Sequence, residues 1–177
     1  PGMSGVEATQ ALALVRPDAQ KCHVQIIEDI PTELPAISAD AGQAQQALLN
    51  VLLNAIQAMP EGGTLTVRAS VNGNVAIQVQ DTGAGISSEN LQKIFAPFFT
   101  TKHRGTGLGL ATVYGIVQQS GGAIEVSSEL GSGSCFRLYF PRTDAPVEKP
   151  APAPAAPRGG RETILLVEDD ERLRHLG

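Results

Sequence analysis

Val75-Ala76-Ile77-Gln78-Val79-Gln80-Asp81, running into Thr82-Gly83-Ala84-Gly85-Ile86, is the stretch around which the chain organises itself. Apolar and polar residues alternate along it, which predicts a half-buried strand with successive side chains on opposite faces. Asp81 then shares the inward face with Val75, Ile77 and Val79. A carboxylate aimed into a core needs hydrogen-bond donors, and the neighbouring sequence offers no obvious ones. Two readings stand: a ligand that brings an amino group, or a turn in which Asp81 accepts from the amides of Thr82 and Gly83. Gly83 and Gly85, lacking Cβ atoms, permit tight backbone and the close approach of a flat ring.

Working outward, Val71-Asn72-Gly73-Asn74 reads as a hairpin turn, because Asn-Gly tolerates positive φ, and it pairs this strand antiparallel with Thr64–Ser70. The same alternation marks His23–Asp29, Ala123–Ser127 and Ser134–Phe140, for five strands in all. Asp40 with Gln43 forms a capping-box signal that opens a helix ending at Pro60. A second helix is expected from Ser87 or Ser88 to Ile94, and a third from the glycines at Gly105–Gly109 through Gln119, stopped by Gly121-Gly122. This order predicts an α+β fold, a two-layer sandwich with a mixed five-stranded sheet and three helices on one face.

The 177 residues are 42% hydrophobic and 18% charged, which suits one soluble globular domain with short appendages. A formal net charge of -5 removes the electrostatic footprint of nucleic-acid binding or of direct membrane contact. The longest apolar stretch, Ala47 to Met59, is interrupted by Asn50, Asn54 and Gln57 and is too short to span a bilayer. Cys22 and Cys135 lie in no metal-ligand spacing, so reduced thiols and a cytoplasmic setting are expected, without zinc. Six of the twelve prolines fall between Pro141 and Pro157, a run that can be neither helix nor central strand. The expected organisation is 1–19 as the remnant of an upstream linker or an artificial leader, 20–141 as the folded unit, 142–161 as a Pro/Ala-rich linker, and 162–177 as the start of a further domain.

On the first expected helix, Leu49, Leu52, Leu53 and Ile56 form one stripe at 100° per residue, while Asn50 and Asn54 stack one turn apart on another side. Two asparagines inside a helix are costly unless their amides have partners, so the pair is either a solvated face or a ligand face. Gly105-Thr106-Gly107-Leu108-Gly109-Leu110-Ala111 leads directly into the third helix, where backbone N–H groups and the positive helix end favour a phosphate. The run lacks the Gly-Lys-Ser/Thr ending of a P-loop and follows no strand as a dinucleotide fingerprint would.

Asn50-x-x-x-Asn54-Ala55, Asp81-x-Gly83-x-Gly85, Phe95-x-x-Phe98-Phe99 and Gly105-x-Gly107-x-Gly109-Leu110 resemble, in order and spacing, the N, G1, F and G2 boxes of sensor histidine kinases. The resemblance is to their catalytic ATP-binding domain, of the GHKL group, and covers residues 20–141. It implies the ATP-binding sandwich with a mobile lid, here Phe95 to Arg104, whose Phe98 and Phe99 either clamp the lid root or belong to the core. It makes Asn50 and Asn54 ligands of a Mg2+ that bridges the phosphates of ATP. It makes Asp81 the acceptor for the adenine amino group, beside Gly83 and Gly85. Gly105, Gly107, Leu108 and Gly109 supply the phosphate turn. Lys102 and Arg104 are the basic residues nearest that turn, so one of them is a candidate partner of the γ-phosphate, with a solvated loop charge as the alternative. Ser134, on the inward face with Phe136, Leu138 and Phe140, is a candidate helper of Asp81, directly or through water.

Glu162-Thr163-Ile164-Leu165-Leu166-Val167-Glu168-Asp169-Asp170-Glu171 resembles the first strand of a response-regulator receiver domain, with Glu168 and Asp169 at its acidic positions. Hydrolysing members of the group carry a glutamate base four residues before the magnesium asparagine. This chain has Asn50 there, and an amide has no useful basicity. None of His23, His103 and His175 precedes the Glu-x-x-Asn-Pro-like run of a phosphoacceptor helix. The resemblance therefore implies a two-component kinase domain that passes the γ-phosphoryl group of ATP to a histidine on an upstream dimerisation and phosphoacceptor domain of the same protein. ATP, ADP and a receiver domain are the other expected partners, and no residue but Lys102 is a catalytic candidate. The alternatives are a non-catalytic ATP-sensing module and a hydrolysing ATPase.

Overall fold

In the computed structural model, which describes residues 5–31, 34–102 and 105–143, the chain runs α1 (Gly5–Lys21), β1 (Val24–Asp29), α2 (Ala41–Gln57), β2 (Gly63–Asn72), β3 (Asn74–Asp81), α3 (Ser88–Leu91), α4 (Gly109–Gln119), β4 (Ala123–Glu129) and β5 (Gly133–Pro141). The five strands form one mixed sheet in the order β1-β2-β3-β5-β4. β1 and β2 are parallel because α2 crosses between them, as a parallel connection requires. The remaining pairs are antiparallel, and Gly73 turns the β2–β3 hairpin at φ 75, a conformation in which a Cβ would be strained. The fold is thus the expected α+β sandwich.

Alternation sets which face is covered. Val75, Ile77 and Val79 of β3, Leu65 and Val67 of β2, and Phe136, Leu138 and Phe140 of β5 are all buried on the helix side. Each large apolar side chain removed from water there contributes about 1.5–3 kcal/mol of transfer free energy. Asp40 caps α2, its Oδ1 accepting from the Gln43 amide at 2.9 Å, so the helix starts at the cap the sequence marked.

Three features differ from the sequence expectations. First, α1 is a fourth helix, in the span assigned to a linker remnant or leader. Its Ala8, Ala11, Leu12, Val15 and Ala19 are buried in the common core, against α2 and β1. Their i, i+3, i+4, i+7 spacing is a helix stripe, but three of the five are alanines, and Pro17 sits inside the helix without an N–H to donate. Second, the core stripe of α2 is Ala44, Ala47, Leu48, Val51, Leu52, Ala55 and Ile56, while Leu49 and Leu53 are only partly buried. The stripe is wide because α2 packs on α1, α4 and β3 together. Third, α3 is a single turn, and the backbone beyond it closes into consecutive turns up to Phe99. Among the described residues no helix is long and apolar enough to cross a membrane. Residues 144–161 of the expected linker, the receiver-like segment 162–177, and His103, Arg104 and His175 lie outside the described residues, whereas Arg142 and Thr143, expected to open that linker, still bond to the segment around Ile37.

Candidate functional site

Asp81 ends β3 with its side chain buried, 3% exposed, among the apolar residues that precede it. Of its two readings, the turn is present, through Gly83 alone of the two expected amides. Its Oδ1 accepts from the Gly83 amide at 2.8 Å, closing the turn, and from the Ser134 amide on β5 at 3.2 Å. Among the described residues nothing donates to Oδ2, so half of the carboxylate keeps its acceptor capacity for something else. Burial raises the Asp81 pKa above the ordinary 3.8, and the two amides pull it partway back.

Ser134 reaches Asp81 through its backbone, not its hydroxyl. The hydroxyl lies 3.0 Å from the Ser128 Oγ, which donates to the Gly133 carbonyl and accepts from the Ile86 amide, leaving Ser134 as the donor of that pair. Ser128 was not anticipated, because only β4–β5 pairing brings it opposite Ser134. Gly83 and Gly85 serve tight backbone, and protein fills the space beside them. A Cβ on Gly83 would lie 2.6 Å from the Ala58 carbonyl oxygen, and one on Gly85 would lie 2.0 Å from that of Glu129. The loop is thereby wedged between the end of α2 and the β4–β5 hairpin, with Ala84 donating to Ala58 and accepting from Gly131.

Asn50 and Asn54 are half-buried on the side of α2 that meets α4, so their face is only partly solvated. Asn50 Nδ2 points to the Gly109 carbonyl at 3.4 Å, a long contact that leaves its Oδ1 without a protein partner among the described residues. Asn54 Oδ1 accepts from Lys102 Nζ at 2.7 Å, and Gln57 Oε1 accepts from the same ammonium at 2.7 Å. Much of the Lys102 stem is exposed, but its charged end lies against α2, where desolvation lowers its pKa below the ordinary 10.5. Gln57 was missed, although it falls three residues after Asn54 on the asparagine side of the helix. Neutral amide oxygens are hard donors of the kind magnesium accepts, with phosphate and water for the remaining shell; the Asn54 oxygen already seats a cation, and the Asn50 oxygen has no protein partner among the described residues. The Asn50 and Asn54 set therefore fits the ion.

α4 begins at Gly109 with no side-chain cap, so the first-turn amides of Gly109, Leu110 and Ala111 have no intrahelical acceptor. Gly107 precedes it at φ 68, and its carbonyl accepts from the Phe98 amide at 2.9 Å. A Cβ on Gly107 would lie 2.3 Å from the Phe98 carbonyl carbon. Gly105, without a positive φ, lies against the Thr100 side chain and donates to the Lys102 carbonyl at 3.1 Å. Of the two phenylalanines expected at the lid root, Phe99 packs against the core, whereas Phe98 is 76% exposed at a positive φ of 66. Phe95 does the remaining anchoring, with its ring 5.4 Å from that of Tyr114 on α4. The α2 amides, the buried carboxylate and the start of α4 thus belong to one packed unit, while Arg104 stays outside the described residues.

Residues 39–144 match the family described as histidine kinase-, DNA gyrase B-, and HSP90-like ATPase. The chain is 48% identical over 132 residues to the sensor histidine kinase ZraS of Escherichia coli, a match covering 74% of this chain and 28% of that protein. It is 39% identical to the sensor kinase CckA of Brucella abortus, covering 85% of this chain and 19% of the relative. The chain therefore spans less than a third of the length of these curated relatives. The catalytic domain of histidine kinase ThkA, solved nucleotide-free, superposes with a TM-score of 0.70 at 29% identity, over 78% of this chain and 91% of that one. Full-length ShkA in complex with AMPPNP superposes with a TM-score of 0.69 at 35% identity, over 80% of this chain and 31% of that one.

Proposed function

Since the chain belongs to the histidine kinase-, DNA gyrase B- and HSP90-like ATPase family and matches the catalytic domains of sensor histidine kinases, we propose that it binds Mg2+ and ATP and presents the γ-phosphoryl group to a histidine on another domain. The observation that carries this reading is the divided Asp81 carboxylate, whose Oδ1 is satisfied by protein amides and whose Oδ2 is left to accept from the amino group of adenine. Asn50 and Asn54 would hold the magnesium ion, which would supply positive charge to offset that of the phosphates. The amides at the start of α4, with Gly107, Leu108 and Gly109, hold the phosphate chain by hydrogen bonds and by the positive helix end. Lys102 would meet the terminal phosphate as a point charge on a flexible stem.

What supports transfer over hydrolysis is Asn50. A water molecule beside the γ-phosphate finds an amide there and no base, so the phosphoryl group waits for a better nucleophile. An upstream dimerisation and phosphoacceptor domain supplies it in this proposal, in the cytoplasm. Residues 162–177 then open a receiver domain that takes part in the same relay. Labelled ATP tests the proposal. The 177-residue chain mixed with the parent's dimerisation and phosphoacceptor helices is expected to place acid-labile label on the added domain. The chain alone is expected to label no histidine and to release no steady phosphate. Sustained phosphate release by the chain alone, or label on His23, would overturn it.

A further inference from the structure

We propose that Gln57 is a positioning residue that gives the Lys102 ammonium a second seat, so that Asn54 is free to turn its amide oxygen to a divalent cation while Lys102 stays over the same site. The inference rests on the functional reading above. Lys102 Nζ lies 2.7 Å from both Asn54 Oδ1 and Gln57 Oε1, so one ammonium bridges two neutral acceptors on one side of α2. A divalent cation on Asn54 Oδ1 would stand within a few ångströms of that ammonium, and the two charges repel. They use the Asn54 oxygen in alternation. Gln57 sits at the very end of α2 and is exposed, so no packing demand accounts for its side chain there. As a neutral amide it retains an ammonium without offering the competing charge that a carboxylate would bring to the metal.

The Lys102 stem is flexible and its ammonium has three donors, so leaving Asn54 while staying on Gln57 needs only a small swing. Without Gln57 the ammonium has two choices, to hold Asn54 against the cation or to leave the site. Retaining Lys102 matters because its bond to Asn54 spans 48 residues of sequence and, with the Gln57 bond, ties the loop before Gly105 to α2.

The test is the Mg2+ dependence of binding of a fluorescent ATP analogue to the full chain, for four proteins: unsubstituted, Gln57→Met, Lys102→Met and the double variant. Gln57→Met is expected to raise the Mg2+ concentration for half-maximal binding roughly ten-fold, the lower end of the scale of one hydrogen bond to a charged group. Lys102→Met removes the competitor, so adding Gln57→Met to it should produce no further shift. An unchanged thermal midpoint in Gln57→Met excludes damage to the fold. An unaltered Mg2+ midpoint in Gln57→Met, or the same shift with and without Lys102, would overturn the proposal. Absence of any Mg2+-dependent binding by the unsubstituted chain would instead overturn the functional reading and this inference with it.

Discussion

Asp81→Asn is expected to weaken nucleotide binding more than ten-fold while leaving the protein at least as stable at neutral pH. The asparagine Oδ1 keeps the acceptor role toward the amides of Gly83 and Ser134, so the turn and the tie to β5 survive. The other position then carries an NH2, which faces the adenine amino group donor to donor. Losing a hydrogen bond to a charged acceptor costs about 1.5–3 kcal/mol, and about 1.4 kcal/mol is already ten-fold in affinity. Stability moves the other way because the native Asp81 pKa is raised by burial. A carboxyl that binds its proton more tightly folded than unfolded is a liability whenever both states are ionised. That liability is fully present above the raised native pKa. It declines as pH falls from there toward the unfolded value near 3.8, and it vanishes below both. The Asp81→Asn melting temperature should therefore equal or exceed the parent's at pH 7, with the gap closing on acidification through that window. Calorimetric titration with ATP and melting curves across pH check both halves. A folded variant with unchanged affinity would remove Asp81 from the site.

Gly85→Ala is expected to destabilise the protein by about 3 kcal/mol or more, from positive-φ strain and overpacking together. Gly85 has φ 68, and a Cβ there would meet the Glu129 carbonyl oxygen at 2.0 Å and the Glu129 carbonyl carbon at 2.7 Å. Both belong to backbone, so relief means moving the β4–β5 hairpin, which also carries the Ser134 amide that holds Asp81. Nucleotide affinity should fall along with stability. Gly115→Ala provides the contrast. A Cβ there meets nothing within 4 Å, and the position is interior to α4. Alanine in a helix interior is favoured over glycine by about 0.5–1 kcal/mol, so this variant should be more stable than the parent. Denaturant unfolding of the two variants measures the opposed signs, and a Gly85→Ala midpoint matching the parent's would show that the hairpin does not wedge the loop.

Features that depend on local periodicity are legible in the order of residues alone. Alternation around Val79 predicted both the strand and the inward aim of Asp81, because the side-chain period of a strand is two whatever lies beside it. Asp40 and Gln43 marked the start of α2, since a cap is built from residues three apart. Helical spacing stacked Asn54 on Asn50 and, had it been followed one turn further, would have included Gln57. Tertiary structure decided what those side chains meet. The second donor to Asp81 comes from a backbone amide 53 residues away, which only the antiparallel pairing of β3 with β5 supplies. Lys102 finds Asn54 and Gln57 because the loop before Gly105 lies over α2, a contact no periodicity encodes. The buried face of α2 is wider than its strongest apolar stripe because three elements pack on the helix at once. For the same reason α1, built on alanine and interrupted by Pro17, is held by the core it enters more than by its own propensity.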